Sequence, residues 1–598
     1  MLGFAFARIL LAALVVSGYL SQHVAATCSS TETVSSSSDM TAAMACVGDG
    51  VTVDIVVDSH LYLSSTLVIE NVAALTIRGS TESSAFQYSN TLHARLFFIS
   101  NSSVSFWNLA ILGSPIMGCF DIVNSNVKLQ SIQVTSLPFL ASVHRNNGLG
   151  LEVKNATVVV EDSTVSGWTS ASYGSAIFLH HGANLTLVRS KISNNGALIS
   201  GGGAFVSAGG YLSVLDNSLF NSNNALFNGG GLHVQSVSSN TLLVSDSVFT
   251  NNTALNGGAV YVDMPLVGGR RDVFDFDNVS FTNNVARTAG GGMRLQAGGR
   301  LTDVTCNGNA AREQGGGFSI SGEYVVAAYG LVMKDNFCSN SDEEVIVKGG
   351  GGIVQDAALF TCENCEFDDN EAVNGAGGGL MALNSDTSIV IDSSKFNRNF
   401  AKYGGAIAEQ NSNGSVITDC HFIDNLAQQS GGAVHSDRNP VVYFFSCVFE
   451  NCTCSSDASQ GGALYISDGE ITLSNITFID GIAGFGGALY TNDVHVLVEN
   501  SDLKGCIATR QGGSIYIASY SDLEVVNSKF ISSLAAQSGG SLFASSTCNV
   551  EFNNSYFLNS SSTANGGVVY VEYQTTLTSV SSTFVHNRAV EGGVLFLD

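Results

Sequence analysis

Between residues 263 and 277 two arginines, Arg270 and Arg271, stand beside three carboxylates, Asp272, Asp275 and Asp277. Guanidinium groups next to clustered aspartates suit a lyase site for acidic sugars with Ca²⁺. The same residues also describe a solvated loop whose local ion pairs contribute little, and that is the reading adopted here. A second acidic stretch, residues 342–344, reads as another solvated loop. Cys362 and Cys365 form a lone Cys-x-x-Cys. With no second pair and no histidine at ligand spacing, it points to a local disulfide or a bridge between repeats rather than to zinc. His180 and His181 are adjacent, and neighbouring strand residues point to opposite faces, so the pair is not expected to share a metal. No nucleophile elbow, phosphate-binding loop or His-Glu-x-x-His motif occurs. The sequence predicts no catalytic residue, no metal site and no cofactor.

These residues are carried by a scaffold with a fixed period. From Gly201 onward a glycine pair recurs fifteen times, at intervals of 25 to 34 residues, usually followed by a small and then an apolar residue. Gly257-Gly258-Ala259-Val260-Tyr261 and Gly461-Gly462-Ala463-Leu464-Tyr465 are good copies. Eight to ten residues before most pairs stands Phe-x-x-Asn, as in Phe220 to Asn223, Phe249 to Asn252 and Phe396 to Asn399. A period of this size marks a solenoid, in which each unit buries its apolar face on its neighbours. Residues 404–430 show one unit: a glycine corner, a short strand over 406–408, a turn, a second strand over 415–422, and a return turn. Two or three strands per unit make one coil of a parallel β-helix. Stacked coils place phenylalanines in an internal column and asparagines in an amide ladder, each bonding the coils above and below.

Composition supports this reading and excludes others. The chain has 598 residues, with 45% hydrophobic, 12% charged, 65 glycines and only 4 prolines. A net charge of −26 and the lack of any basic stretch argue against nucleic acid as a partner. Arg8, the apolar run 9–16 and Val24-Ala25-Ala26 read as a secretory signal cleaved after residue 26, and no later segment is apolar enough to span a membrane as a helix. Thirteen cysteines in a secreted chain suggest some disulfides. Cys420 and Cys447 each lie two residues before their phenylalanine, Phe422 or Phe449, in consecutive repeats, so a Cys420–Cys447 bridge is expected. Ten glycosylation sequons begin at Asn101, Asn155, Asn184, Asn251, Asn278, Asn413, Asn451, Asn475, Asn553 and Asn559.

Tandem Gly-Gly-Ala-(Ile/Leu/Val) and Phe-x-x-Asn, in phase over about residues 192–598, resemble the repeat of the polymorphic outer membrane proteins. The resemblance implies a right-handed parallel β-helix at a cell surface, and an adhesin or host-contact domain exported through a C-terminal barrel. The repeats run to residue 598 without such a barrel, so that export route is not expected. Residues 66–79 resemble the opening coils of pectate-lyase-like β-helices, whose polygalacturonase signatures are absent.

The expected fold is all-β: a single-stranded right-handed parallel β-helix of about 20 coils, ~100 Å long at the usual strand spacing. The expected organisation is a signal peptide over 1–26, a cap over 27–50 with a short helix over 40–47, degenerate coils over 51–200, and the repeat proper over 201–598, uncapped at its end. The function expected is a non-catalytic secreted or cell-surface protein acting in adhesion or as an extracellular structural component, outer-membrane-associated if the source is bacterial. Its partners would be extracellular glycans or surface proteins. The alternative is a polysaccharide lyase or glycoside hydrolase on the same scaffold. A groove where Arg or Lys and several Asp from neighbouring coils converge would favour the alternative.

Overall fold

A computed structural model describes residues 30–47, 52–89, 95–114, 116–137, 147–207, 209–235, 241–263, 272–342, 345–518 and 520–598. The predicted signal sequence lies outside them. The chain winds into an all-β, right-handed parallel solenoid of about 20 turns. A coil carries four strands, more than the two or three expected. In residues 404–430 these are Ile407–Gln410, Ser415–Thr418, His421–Ile423 and Leu426–Ser430. The first three kinds of strand join one continuous sheet of 57 strands; the fourth stacks separately in a sheet of 15, from Thr169–Tyr173 to Ser561–Ser562.

Corners explain how so short a repeat closes. Each of the four in this coil holds a residue in the left-handed region: Gly404 (φ 60°), Asn411 (50°), Asp419 (50°) and Asp424 (53°). Asn and Asp tolerate this conformation better than other side-chain-bearing residues, which accounts for their abundance here. The glycine corner is tighter. At Gly432, a Cβ would overlap the carbonyl oxygen of Gly462 in the next coil. The second glycine, here as at Gly405, Gly462 and Gly487, is therefore kept by close approach of backbones, not by its own φ.

Side chains alternate in and out along each strand, and every inward position stacks on its equivalent. Phe367, Phe396, Phe422 and Phe449 form one such column, with ring centroids 4.7–5.0 Å apart. Cys306 and Met333 fill the same column where the motif lacks its phenylalanine. Beside it runs the asparagine ladder. The Asn309 side-chain NH₂ donates to the Phe281 carbonyl (2.9 Å) and to the Asn336 side-chain oxygen (3.0 Å). Its own oxygen accepts from the backbone N–H (2.9 Å) and side-chain NH₂ (3.0 Å) of Asn284. This pattern runs unbroken from Asn195 to Asn425, and every member is buried.

At the N-terminal end, helix Ser37–Ala45 covers the first coil with Met40 and Ala43, and Ser36 caps it by accepting from the Asp39 N–H. It begins three residues earlier than the sequence suggests, because Ser36 supplies the cap. Among the described residues no helix is long and apolar enough to cross a membrane.

Candidate functional site

Outward positions on the first strand of each coil also stack, and they are unusually aromatic. In register, Phe178, Phe205, His233, Tyr261 and Arg294 follow one another. Further along the axis Tyr465, Tyr490, Tyr516, Phe543 and Tyr570 continue the column, with centroids 4.8–5.4 Å apart and planes within 7° of parallel. In that C-terminal part the rings cover each other's faces and present edges to solvent. In the N-terminal part Phe178 and Phe205 still stack, at 23°, but Phe205–His233 is tilted by 83° and His233–Tyr261 by 86°, and Tyr173 of the neighbouring strand meets Phe205 at 57°.

That change of packing opens a groove of about 500 Å³ beside the glycine corner. Its aromatic lining is Tyr173, Phe178, Phe205, Phe227 and His233. Amides and hydroxyls of Asn147, Ser200, Asn228 and Gln235 border it, with Asp263 at one end. Among the described residues neither ring nitrogen of His233 has a hydrogen-bond partner, although the residue is only 5% exposed. Burial pulls its pKa down to about 3, so the imidazole is neutral. Burial likewise raises the Asp263 carboxyl, and pushes the Tyr261 phenol up to about 12. The Tyr261 hydroxyl donates to Gln296, and the Arg294 guanidinium donates to the Asn256 side-chain oxygen at 2.6 Å.

A charged cluster lies on the same column at the other end. Asp121 and Glu152 precede Phe178 in register. Arg95 pairs with Glu152 and donates to the carbonyls of Phe120 (2.8 Å), Asn147 (2.9 Å) and Gly148 (2.6 Å). His180 Nε2 lies 3.3 Å from the Glu152 carboxylate. Burial alone would raise Glu152; the His180 hydrogen bond and the Arg95 charge hold it below the usual range. Burial raises Asp121 despite Arg95.

The family profile described as "Right handed beta helix region" matches residues 96–264 and 405–594. The chain belongs to the right-handed beta helix family. No curated protein matches it. Among solved structures it resembles "PL6 family alginate lyase AlyGC", at 10% identity over 95% of this chain and 100% of that one, with a TM-score of 0.20. An arginine-to-alanine mutant of that lyase matches at 10% identity over 95% and 99%, with a TM-score of 0.17. At such scores neither structure bears on activity.

This β-helix distributes the residues singled out from sequence as follows. Arg270 and Arg271 lie outside the described residues. Asp272, Asp275 and Asp277 are not on a loop; they belong to strand Asp272–Asp277, whose Val273, Phe274 and Phe276 are buried. The aromatic alternation there outweighs the acidic residues between. Asp342 is described, whereas Glu343 and Glu344 are not. His180 and His181 do not point apart: their Nδ1 atoms are 2.7 Å from each other. Strand alternation fails because His181 begins a turn at φ 51°. Among the described residues no group of three or more His, Cys, Asp or Glu is placed to hold a metal. All the sequon asparagines are exposed except Asn553, which is half-buried. None of the ten sits at the glycine corner or on the outer face of the first strands.

The cysteines need one correction. Cys362 and Cys365 form a local disulfide, and Cys46 is also disulfide-bonded. Cys420 and Cys447 are neighbours in consecutive coils, as the spacing suggests, but both are thiols. The Cys420 thiol donates to the Thr418 carbonyl of its own turn at 3.0 Å, and that of Cys447 to Phe445 at 3.3 Å. Among the described residues nine thiols are buried. Burial pushes Cys338, Cys452 and Cys506 up to about 12. A thiol is reactive as the thiolate, so these should be inert. Ellman's reagent at pH 8 should titrate close to none of the nine in the native protein and all of them after unfolding in guanidinium. Rapid reaction of several without denaturant would contradict the packing described.

The aromatic column was missed from sequence, though a signal existed. Tyrosine recurs at the fifth place of Gly-Gly-Ala-x-Tyr, as at Tyr261, Tyr465 and Tyr490. That place is one step past an inward residue and therefore faces out.

Proposed function

We propose that the protein is a secreted, non-catalytic scaffold that holds extracellular glycans or surface proteins along its glycine-corner face, in adhesion or as part of an extracellular coat. This is the role the resemblance to polymorphic outer membrane proteins implies. The observation that carries the reading is the outward aromatic column with its groove, running with the solenoid axis over many coils. A repeating surface of this kind offers many similar contacts in a line, which suits a polymer better than a single small substrate.

The electrostatics of the groove support binding over catalysis. General acid–base chemistry is served best by a group poised near the working pH. Here Tyr261 is shifted to about 12 and His233 to about 3. The half-buried Arg95 is engaged by three carbonyls and Glu152. The acid shifted to about 7, Glu409, faces the solenoid interior.

The lyase reading keeps one observation in its favour: Arg95, Asp121, Glu152 and His180 converge from neighbouring coils. A glycan and matrix-protein array, run with ultraviolet detection of unsaturated uronates, separates the two readings. Retention on the array without product is the expected result. Product formation would overturn the non-catalytic reading and direct attention to Asp121, Glu152 and His180. An array with neither binding nor product would overturn the ligand-holding role itself.

A further inference from the structure

We propose that the outer face of the 15-stranded sheet is an interface on which a second copy of this chain packs face to face, with the two solenoid axes aligned. The inference does not depend on what the aromatic column holds.

Each fourth strand turns a small residue inward, as at Ala286, Ala311, Ala401 and Ala427, so the residue before it faces out. In register these outward residues form one row along the axis. Of its ten places from Val285 to Leu534, Glu371 and Thr453 are polar and the rest are apolar. Val285, Phe337, Ile482 and Leu534 are 38–41% exposed, and Phe400, Leu426 and Ile507 are half-buried. Leu198, Leu226 and Leu255, two places further along their own strands, carry the band towards the N-terminal end, and Leu226 is 50% exposed. Strand propensity does not account for the row, because the third strands of the same coils do not share it. Their outward row reads Ser280, Thr305, Val332, Glu366, Lys395 and His421. Single apolar residues are ordinary on a surface, whereas a continuous band marks a place of contact.

Length, repeat and charge identify the occupant. From Leu198 to Leu534 the band crosses thirteen coils. At ~4.8 Å per coil and about 12 Å across it covers roughly 700 Å², close to the ~800 Å² per partner of a stable complex. A straight row with this repeat is matched along its whole length by a surface of the same repeat, which a second copy supplies by construction. Two-fold pairing, the commonest dimer symmetry, sets the band of one copy on the band of the other. Charge is also nearly balanced here. Arg287, Arg312, Lys348, Lys402 and Arg510 stand beside the band, against Glu313, Glu371, Asp457 and the acidic stretch 342–344, of which Glu343 and Glu344 lie outside the described residues. The whole chain has 24 basic to 50 acidic residues, so two copies repel each other less across this face than the overall charge implies.

Sedimentation velocity on the full chain tests the assignment. Sequons Asn251 and Asn451 stand two residues before the row, so the protein is made in a host that adds no N-glycans. The expected result is a reversible dimer that tightens as NaCl rises from about 0.05 to about 0.5 M, because salt screens the repulsion between two acidic copies. Ile482→Asp and Leu534→Asp, both at exposed places, should each weaken dimerisation tenfold or more with an unchanged melting temperature. Val390→Asp, at a 39% exposed place on a second strand, should leave it unchanged. A monomer at about 100 µM would overturn the proposal, and so would a dimer that loosens with salt or survives both aspartates. Equal loss in Val390→Asp would overturn it by showing unspecific association. A monomer that floats with phosphatidylserine vesicles would overturn it in favour of a lipid surface.

Discussion

Asn309→Ala should destabilise its part of the solenoid by about 4 kcal/mol, from the cost of roughly 1–3 kcal/mol for each buried polar group left without a partner. The side chain makes four hydrogen bonds at 2.9–3.0 Å inside the solenoid, where exposure is nil. Its loss strands the Asn284 N–H, leaves the Asn284 NH₂ with only the Phe249 carbonyl, and takes the side-chain donor from the Phe281 carbonyl. Water cannot replace them without entering the core. Asn549 is the control, because its NH₂ also bonds to a neighbouring coil, to Asp522 at 2.7 Å, but on the exposed surface. Asn549→Ala should stay within about 0.5 kcal/mol of the wild type, as surface changes usually do. Guanidinium unfolding followed by circular dichroism measures both. Equal shifts for the two variants would show that the buried ladder contributes no more than the exposed row.

Glu409→Gln should stabilise the protein above neutral pH by up to about 3 kcal/mol, and this gain should vanish in acid. Glu409 is completely buried on the inner side of Ile407–Gln410, among Ser412, Ser415, Ser436 and Asn439. Asn439 donates to one carboxyl oxygen at 3.4 Å, and Ser415 offsets only part of the cost of burial. Burial raises the pKa from an ordinary 4.5 to about 7. Below pH 4.5 the acid is protonated both folded and unfolded, so it has no effect on the balance. Between there and pH 7 the unfolded chain gives up its proton while the folded one keeps it, and stability falls. Glutamine does not titrate, so the mutant-minus-wild-type difference should be near zero at pH 4, rise through this window and level off above 7. His233 and His435, held down at about 3 and 4 by burial, weaken the fold towards acid in both proteins and cancel in the difference. Melting curves from pH 4 to 8.5 provide the test; a difference independent of pH would mean that Glu409 titrates normally.

The two motifs carried the fold because each encodes a stacking position. Phe-x-x-Asn places a ring and an amide on the same inner columns, and the glycine pair encodes the one corner where backbones touch. Strand number was less legible. His421–Ile423 and Leu426–Ser430 are separated only by a left-handed Asp424 and by Asn425, a break that hydrophobic pattern alone does not register. The groove was illegible for a different reason: its edges come from Asn147, Asn228 and Asp263, far apart in sequence and joined only by coil stacking. Glu409 was hidden inside an ordinary copy of the repeat, where alternation puts it inward but charge suggests the surface. Cys420 and Cys447 show the reverse case. Register was predictable from spacing, whereas the choice between thiol and disulfide depends on local hydrogen bonding.

The asparagine ladder is not continuous to the end. After Asn425 its place is taken by Cys452, Gly481, Cys506, Ser533 and Ser560 before Asn587 resumes it. Backbone pairing and exposed amide bonds such as Asn549 to Asp522 continue through this stretch, but buried amide cross-ties between coils do not. In a one-dimensional array, where each unit is held only by its neighbours, the weakest interface decides where the array comes apart. A rod anchored at one end and loaded at the other would thus yield in these coils before it yields in the tied stretch from Asn195 to Asn425, paying out chain there while the amide-tied coils stay wound. Under load along the axis, that is a built-in extension point which spares the tied coils.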